Sequence, residues 1–313
     1  VAYRPQAHTS VRTSPHMLSR LSSAAPATAY LFLILTMALW AGNHILGRWV
    51  HGNIPPMTLS FLRWSLAALL MFPFAYRSIQ ADWPVIRRNW PRLLLLGFLG
   101  SGIYNTLQYI ALTETTATNA AILNSWGPIL IVLAGAALFR DKMRANQVTG
   151  MAISLMGVAV IVLHGELARL ATLSFNRGDL VMLFATGVWA LYTALLRTRP
   201  PISTLSFVGL TYAIAGLVNL PLAGWEYAHG QMMDITPQTI AAVLYAGVLA
   251  SLVAYLCYAR SVEIIGANRT GVFIHLIPLF TSVLAMVLLG EQPALYHAAG
   301  FGLILAGVFI AQR

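Results

Sequence analysis

Between Tyr30 and Gln312 the chain is an almost unbroken series of apolar segments of about 17 to 25 residues, the length that crosses a bilayer as helix. The connections between them are too short to build a soluble domain. Only 9% of the 313 residues are charged, 58% are hydrophobic and the mean hydropathy is +0.72. Ordinary soluble domains carry roughly a quarter charged residues, so this composition places the chain in the membrane. Period-two alternation is not the theme, which argues against a barrel. The expected fold class is therefore an all-α integral membrane protein.

Ten transmembrane helices are expected, at residues 29–50, 58–76, 93–112, 116–139, 145–164, 178–196, 203–222, 238–259, 268–290 and 295–311. Residues 1–28 are basic and rich in Ser, Pro and Ala, and are expected to be a disordered tail. Their small residues precede the first apolar run, whereas a cleavable leader would carry them after it. Met17 is a candidate start. The lone Cys257 falls inside a span, so no disulfide framework can form within the chain and the residue reads as packing.

The net charge of +10 does not require nucleic acid, because basic residues of membrane proteins collect in cytoplasmic loops. With an inside N-terminus, fifteen of the 19 Lys and Arg fall on the inner side, and Arg48, Arg169 and Arg177 fall outside. Glu114, Glu166, Asp179, Glu226, Asp234 and Glu291 lie outside. Both termini are thus expected in the cytoplasm.

The halves of the chain match at an offset near 150. "TGMAISLMGV" aligns with "AGFGLILAGV", setting Gly150 on Gly300 and Gly157 on Gly307. Pro128 falls on Pro278 and Asp141 on Glu291, while Trp40 falls on Trp189 and Arg48 on Arg197 at one residue less. Pro55-Pro56 recur as Pro200-Pro201. Five spans per half is an odd number, so the second copy must enter the membrane in the opposite sense. Two inverted five-helix repeats around a central cavity are the expected architecture, residues 29–164 forming the first and 178–313 the second.

These features, with the prolines of "NSWGPILIVLAGAALFRDKM" and "IHLIPLFTSVLAMVLLGEQP" and the "LGE" ending, resemble the EamA family of the drug/metabolite transporter superfamily. The resemblance covers the chain from about residue 30 onward. It is greatest to bacterial aromatic amino-acid exporters of the YddG type. The first copy departs from "LGE", reading Phe139-Arg140-Asp141. The resemblance implies export across the bacterial inner membrane by alternating access.

Candidate solute contacts follow from polar groups placed where hydrocarbon would penalise them. Trp40, Asn43, His44 and Gly47 share one helix face at i, i+3, i+4, i+7, and Trp189, Tyr192 and Thr193 occupy the equivalent face of the sixth span. The packing alternative is that Asn43 and His44 only bond neighbouring helices, at about 0.6 kcal/mol per contact. Tyr104, Asn105, Gln108 and Tyr109 stripe the third span, and Ser251, Tyr255 and Tyr258 the eighth. Tyr104 and Tyr258 also suit an interfacial belt, whereas Gln108 and Tyr255 sit too deep for one. Asn124, Ser125 and Trp126 precede Pro128, and His275 matches Ser125. Pro128 and Pro278 are expected to kink their helices beside the cavity, as gating or shape-setting residues. Arg63 can pair with a carboxylate, but its nearness to the start of the second span favours snorkelling to the interface. Stripes at Ala298, Gly302 and Ala306, at Gly150 and Ser154, and at Gly307 and Ala311 suit close helix packing.

The expected function is export of aromatic or other hydrophobic amino acids, with aromatic faces on the side chain and Asn, Gln, Ser and His on the zwitterion. Cationic drugs or nucleotide-type solutes are the alternative. The absence of secure mid-membrane carboxylates weighs against a cation site, and leaves His44 and His275 as the titrators if protons are coupled. There is no GxSG, no HExxH and no paired intramembrane acids, so no catalytic set, metal centre or cofactor is expected. The expected partners are a small-molecule substrate and the lipid bilayer, with no nucleic acid, and a monomer is compatible with all of these features.

Overall fold

The computed structural model of the chain describes residues 15–140, 144–163, 165–166, 176–265, 273–292 and 294–312, and among these every regular element is helical. The first half contains α1 (Pro15–Trp49), α2 (Pro56–Arg88), α3 (Trp90–Gly97), α4 (Tyr104–Glu114), α5 (Ala117–Asn124), α6 (Gly127–Phe139) and α7 (Ala145–Val162). The second contains α8 (Arg177–Leu195), α9 (Thr204–Ala228), α10 (Pro237–Leu244), α11 (Ala254–Ile265), α12 (Leu276–Leu289) and α13 (Leu295–Gln312). Among the described residues, six helices are long and apolar enough to cross a membrane, a seventh crossing is available if the bent pair α5 and α6 forms one span, and three apolar helices are shorter.

Two expectations change at this level. Helix α1 begins at Pro15, inside the stretch that composition assigns to a disordered tail, while residues 1–14 lie outside the described residues. Pro128 does not kink the interior of a continuous helix. The chain breaks after Asn124, bends by 40° and restarts at Gly127, so Pro128 stands in the first turn of α6, where a missing N–H costs nothing. Pro278 likewise occupies the first turn of α12, after a short 3₁₀ turn at Phe273–His275. Asp141, the first-copy partner of Glu291, lies outside the described residues.

Two of the spans are interrupted by π-helical turns, Phe98–Ile103 between α3 and α4 and Tyr245–Val253 between α10 and α11. They lie about 150 residues apart, at corresponding places in the two halves. A π turn disturbs the regular hydrogen-bond ladder, and in hydrocarbon the affected carbonyls need partners. Asn219 Nδ2 donates to the Gly102 carbonyl at 2.8 Å, Ser251 Oγ to the Ala246 carbonyl at 2.8 Å, and Tyr212 Oη to the Ser251 carbonyl at 3.0 Å.

Helix ends are satisfied by carboxylates from other elements. Glu226, at the end of α9, accepts from Met57 N (3.0 Å), Thr58 N (2.7 Å) and Thr58 Oγ1 (2.8 Å) at the start of α2. Asp82, near the end of α2, accepts from Ser203 N at 2.9 Å at the start of α9. Each of these packed helices therefore caps the other, and both carry the same four residues at or near their starts, Thr58–Phe61 and Thr204–Phe207, "TLSF". Glu291 serves α5 in the same way, accepting from Ala117 N (2.9 Å) and Thr118 Oγ1 (2.9 Å). Negative charge at a helix N-terminus meets both the unpaired N–H groups and the positive end of the dipole. This is why Glu226 tolerates complete burial.

Helices α7 and α13 pack through glycine. A Cβ on Gly157 would lie 2.6 Å from the Gly300 carbonyl oxygen, and one on Gly307 would collide with the Gly150 carbonyl oxygen and lie 2.6 Å from Ser154 N. The pairs aligned in sequence thus meet crosswise in space, Gly157 on Gly300 and Gly307 on Gly150. Gly302 has open space around it, so the stripe through Ala298, Gly302 and Ala306 is not the face used. Replacing Gly307 by Val is expected to lower stability by about 1–3 kcal/mol through overpacking, while Gly302→Val stays near wild type. Thermal unfolding of both variants in detergent checks this, and equal losses would remove the packing argument.

Candidate solute cavity

A cavity of about 60 Å³ lies between the two halves of the chain. From the first half it is lined by Trp40, Asn43 and His44 of α1, Arg63 of α2, Tyr104, Asn105 and Gln108 of α4, and Asn124 of α5. Trp189 of α8, Tyr255 of α11 and the apolar pair Ile274 and Ile277 complete it.

The aromatic wall is braced by ring contacts. Trp40 meets Tyr255 edge-on at 5.5 Å and donates from Nε1 to the Ala250 carbonyl at 3.2 Å. Trp189 meets Tyr104 at 5.0 Å and Tyr192 at 5.2 Å. Gly100, on the first π turn, admits the Tyr192 ring, which a Cβ there would meet at 2.5 Å.

Arg63 is at the floor of this cavity, 2% exposed, and not at the interface. Snorkelling fails because the side chain begins about 10 Å along α2 from its capped start and is drawn inward by acceptors. Nε donates to Ser251 Oγ at 2.7 Å; Nη1 is within 3.0 Å of Asn43 Oδ1, 2.9 Å of Asn105 Oδ1 and 2.8 Å of Tyr109 Oη. The guanidinium carbon lies 4.6 Å from the centre of the Trp64 ring. Among the described residues no carboxylate touches it, and no carboxylate lines the cavity.

Three amide or imidazole nitrogens on the wall are buried without a hydrogen-bond partner: His44 Nε2, Asn105 Nδ2 and Gln108 Nε2. His44 Nδ1 donates to the Trp40 carbonyl at 3.1 Å, which leaves Nε2 a lone pair in the neutral ring. Unpaired buried polar atoms are uncommon because each costs roughly 1–3 kcal/mol, and these three belong to residues that line one cavity.

The structure thus brings together Trp40, Asn43, His44, Gln108, Trp189 and Tyr255. It does not bring Tyr192 or Thr193 to the wall, since Tyr192 packs on Gly100 and Thr193 Oγ1 donates to the Trp189 carbonyl at 2.8 Å. Ser125 bonds back to the Ala121 carbonyl at 3.3 Å, and Trp126 packs against the apolar core beside α6. Gly47 receives Tyr109 and Leu112 rather than a solute. The His275 side chain lies outside the described residues. Tyr104 is a buried wall residue and not an interfacial one. Asn124 accepts there from Tyr104 Oη at 3.2 Å. Ile274 and Ile277 carry no polar signal that sequence could have singled out.

The model of the EamA-like transporter family matches residues 27–163 and again 176–312. The chain belongs to this family. It is similar to an uncharacterized transporter of Archaeoglobus fulgidus, 28% identical over 284 residues that cover 90% of this chain and 96% of that one. It is also similar to a probable terminal-alkyne amino-acid exporter of Streptantibioticus cattleyicolor, 27% identical and covering 90% and 92% of the two chains. A crystal structure sharing 20% identity superimposes with a TM-score of 0.60 over 92% of this chain and 95% of that one, which shows a shared fold. The EamA-type chain is accordingly a multi-pass membrane transporter.

Gln108→Leu is expected to leave the thermal midpoint of the solute-free protein unchanged or higher, because an unpaired buried amide is removed, while transport falls. A variant destabilised with transport intact per folded molecule would return Gln108 to packing. For His44→Ala, transport equal to wild type with the same pH dependence would assign the imidazole to packing as well.

Proposed function

We propose that this transporter exports amino acids with aromatic or other apolar side chains by alternating access. The observation that carries the reading is the cavity itself, in which Trp40, Tyr104, Trp189 and Tyr255 provide ring faces while His44, Asn105 and Gln108 present unpaired polar atoms. Aromatic walls suit an apolar side chain, and the polar atoms suit the backbone groups of a free amino acid.

In this reading the six long spans, the bent α5–α6 pair and the three shorter apolar helices make ten crossings, arranged as two inverted five-helix repeats. The crosswise glycine contacts of α7 and α13 and the mutual capping of α2 and α9 support that symmetry, since an axis in the membrane plane exchanges the partners of each pair. Rocking of one half against the other would open the cavity to either side in turn. Both termini are cytoplasmic in a bacterial inner membrane, the protein works as a monomer, and the substrate is its small-molecule partner. The name of the Streptantibioticus relative, an amino-acid exporter, favours this substrate class. Cationic drugs are disfavoured because no carboxylate lines the cavity among the described residues.

The test is counterflow in reconstituted vesicles with a panel of radiolabelled amino acids. Phenylalanine, tryptophan and leucine are expected to exchange, and lysine and glutamate are not. Failure of every amino acid to drive counterflow by protein that is correctly folded would overturn the reading.

A further inference from the structure

Arg63 confronts the cavity with a full positive charge that nothing described neutralises. Its Nε and Nη1 are engaged by Ser251, Asn43, Asn105 and Tyr109, all uncharged acceptors, and Nη2 has no hydrogen-bond partner among the described residues. Asn105 Nδ2 and Gln108 Nε2, both donors and both unpaired, line the same cavity. Three unfilled donors, one of them cationic, define a place for an anionic acceptor.

For an ammonium the provision is poorer. The acceptors on the wall are the lone pair of His44 Nε2, the Gln108 amide oxygen, the Tyr255 hydroxyl and the Asn124 oxygen, which already takes bonds from Tyr104 and Thr186. None of them carries charge, so an ammonium in the cavity would be desolvated beside Arg63 without a counter-ion. A zwitterion leaves the net charge of the cavity as it found it, whereas a plain carboxylate cancels it.

We infer that Arg63 Nη2 is the anchor for a substrate carboxylate and that the α-amino group is dispensable, so that the transporter also takes amine-free aromatic monocarboxylates. This rests on the proposed amino-acid site and names the part of the substrate that the site reads. The internal repeat adds an independent argument. In the paired "TLSF" helices Arg63 corresponds to Gly209, whose Cβ position is filled by Ala75, 2.7 Å away. The packing of α9 on α2 at the equivalent position therefore forms without a guanidinium, so the pairing of these two helices is not what calls for the charge.

Three probes with the same ring separate the possibilities: phenylalanine, hydrocinnamate, which lacks the amine, and phenethylamine, which lacks the carboxylate. Binding to purified full-length protein is followed by quenching of tryptophan fluorescence, and transport by competition against phenylalanine counterflow. Hydrocinnamate is expected to bind at least as tightly as phenylalanine, and phenethylamine on the order of ten- to hundredfold more weakly. Arg63→Gln is expected to weaken both carboxylates by a similar factor and to leave phenethylamine unaffected or improved. Arg63→Lys keeps the charge and is expected to recover part of the carboxylate binding, which a merely structural role for the guanidinium would not produce. Phenethylamine binding as well as phenylalanine, or hydrocinnamate failing to bind a protein that binds phenylalanine, would overturn this inference while leaving amino-acid export standing. Hydrocinnamate exchange without any amino-acid exchange would do the reverse. No response to either carboxylate would overturn both.

Discussion

The hydrogen bonds of Arg63 hold the centre of the molecule together. One side chain on α2 reaches Asn43 on α1, Asn105 and Tyr109 on α4, and Ser251 on the second π-helical turn, so that elements from both halves converge on a single charge. A guanidinium removed from water without such a set would cost several kcal/mol. The neutral acceptors reduce that cost without cancelling the charge. They also fix the side chains of α1 and α4 that form the cavity wall, because Asn43 Oδ1 is shared with Tyr109 Oη at 2.7 Å. The proposed solute site and a structural junction would thus be built from the same atoms. Truncating Asn43 or Ser251 would disturb both, which makes Gln108, outside this network, the cleaner probe of solute contact.

Around that centre the dominant constraint is that hydrocarbon supplies no hydrogen bonds. Several departures from continuous helix therefore come with side-chain partners, most of them from other elements. The π turn at Phe98–Ile103 is met by Asn219, the one at Tyr245–Val253 by Ser251 and Tyr212, and the starts of α2, α5 and α9 by Glu226, Glu291 and Asp82. The acids that sequence places in loops are for the most part loop-end residues with a structural task. Glu226, Glu291 and Asp179 are held near one end of the bundle, where Asp179 accepts from Thr115 and Asn119. Asp82 does comparable work at the other end.

Much of this was legible in the sequence and some was not, for physical reasons. Hydrophobic length located the long apolar helices, because a span must be apolar and about 20 residues long, but it missed the polar extensions that begin α1 at Pro15 and carry α2 on to Arg88. The i, i+3, i+4 spacing selected Trp40, Asn43 and His44, and their cavity placement follows from a helix face being rigid. Tyr192 and Thr193, on the equivalent face of α8, do not line the cavity in this structure, since a face is wider than the part of it that reaches the opening. Small residues on the neighbouring helix, here Gly100, decide which part is covered. The π turns left no readable signature and shift the register of everything after them. Arg63 was misplaced because distance from a span's end measures how far an arginine can snorkel, not whether buried acceptors will hold it.

The departure of Arg63 from the internal repeat bears on how such a molecule can work. Glycine contacts, helix caps and π turns recur in both halves, and the proposed alternating access would draw on near-equivalent halves of this kind for two arrangements of similar energy. A binding site that obeyed the same symmetry would present two like charges to one solute, and their repulsion would oppose bringing the halves together. In the proposed site, a guanidinium in one copy only, with Gly209 opposite it in sequence, would leave a single orientation for a carboxylate. The apolar end of the solute would then be directed along the aromatic wall shared by Trp40, Tyr104, Trp189 and Tyr255. Symmetry in the scaffold and asymmetry in the charge are separate requirements, and the chain meets them with separate residues.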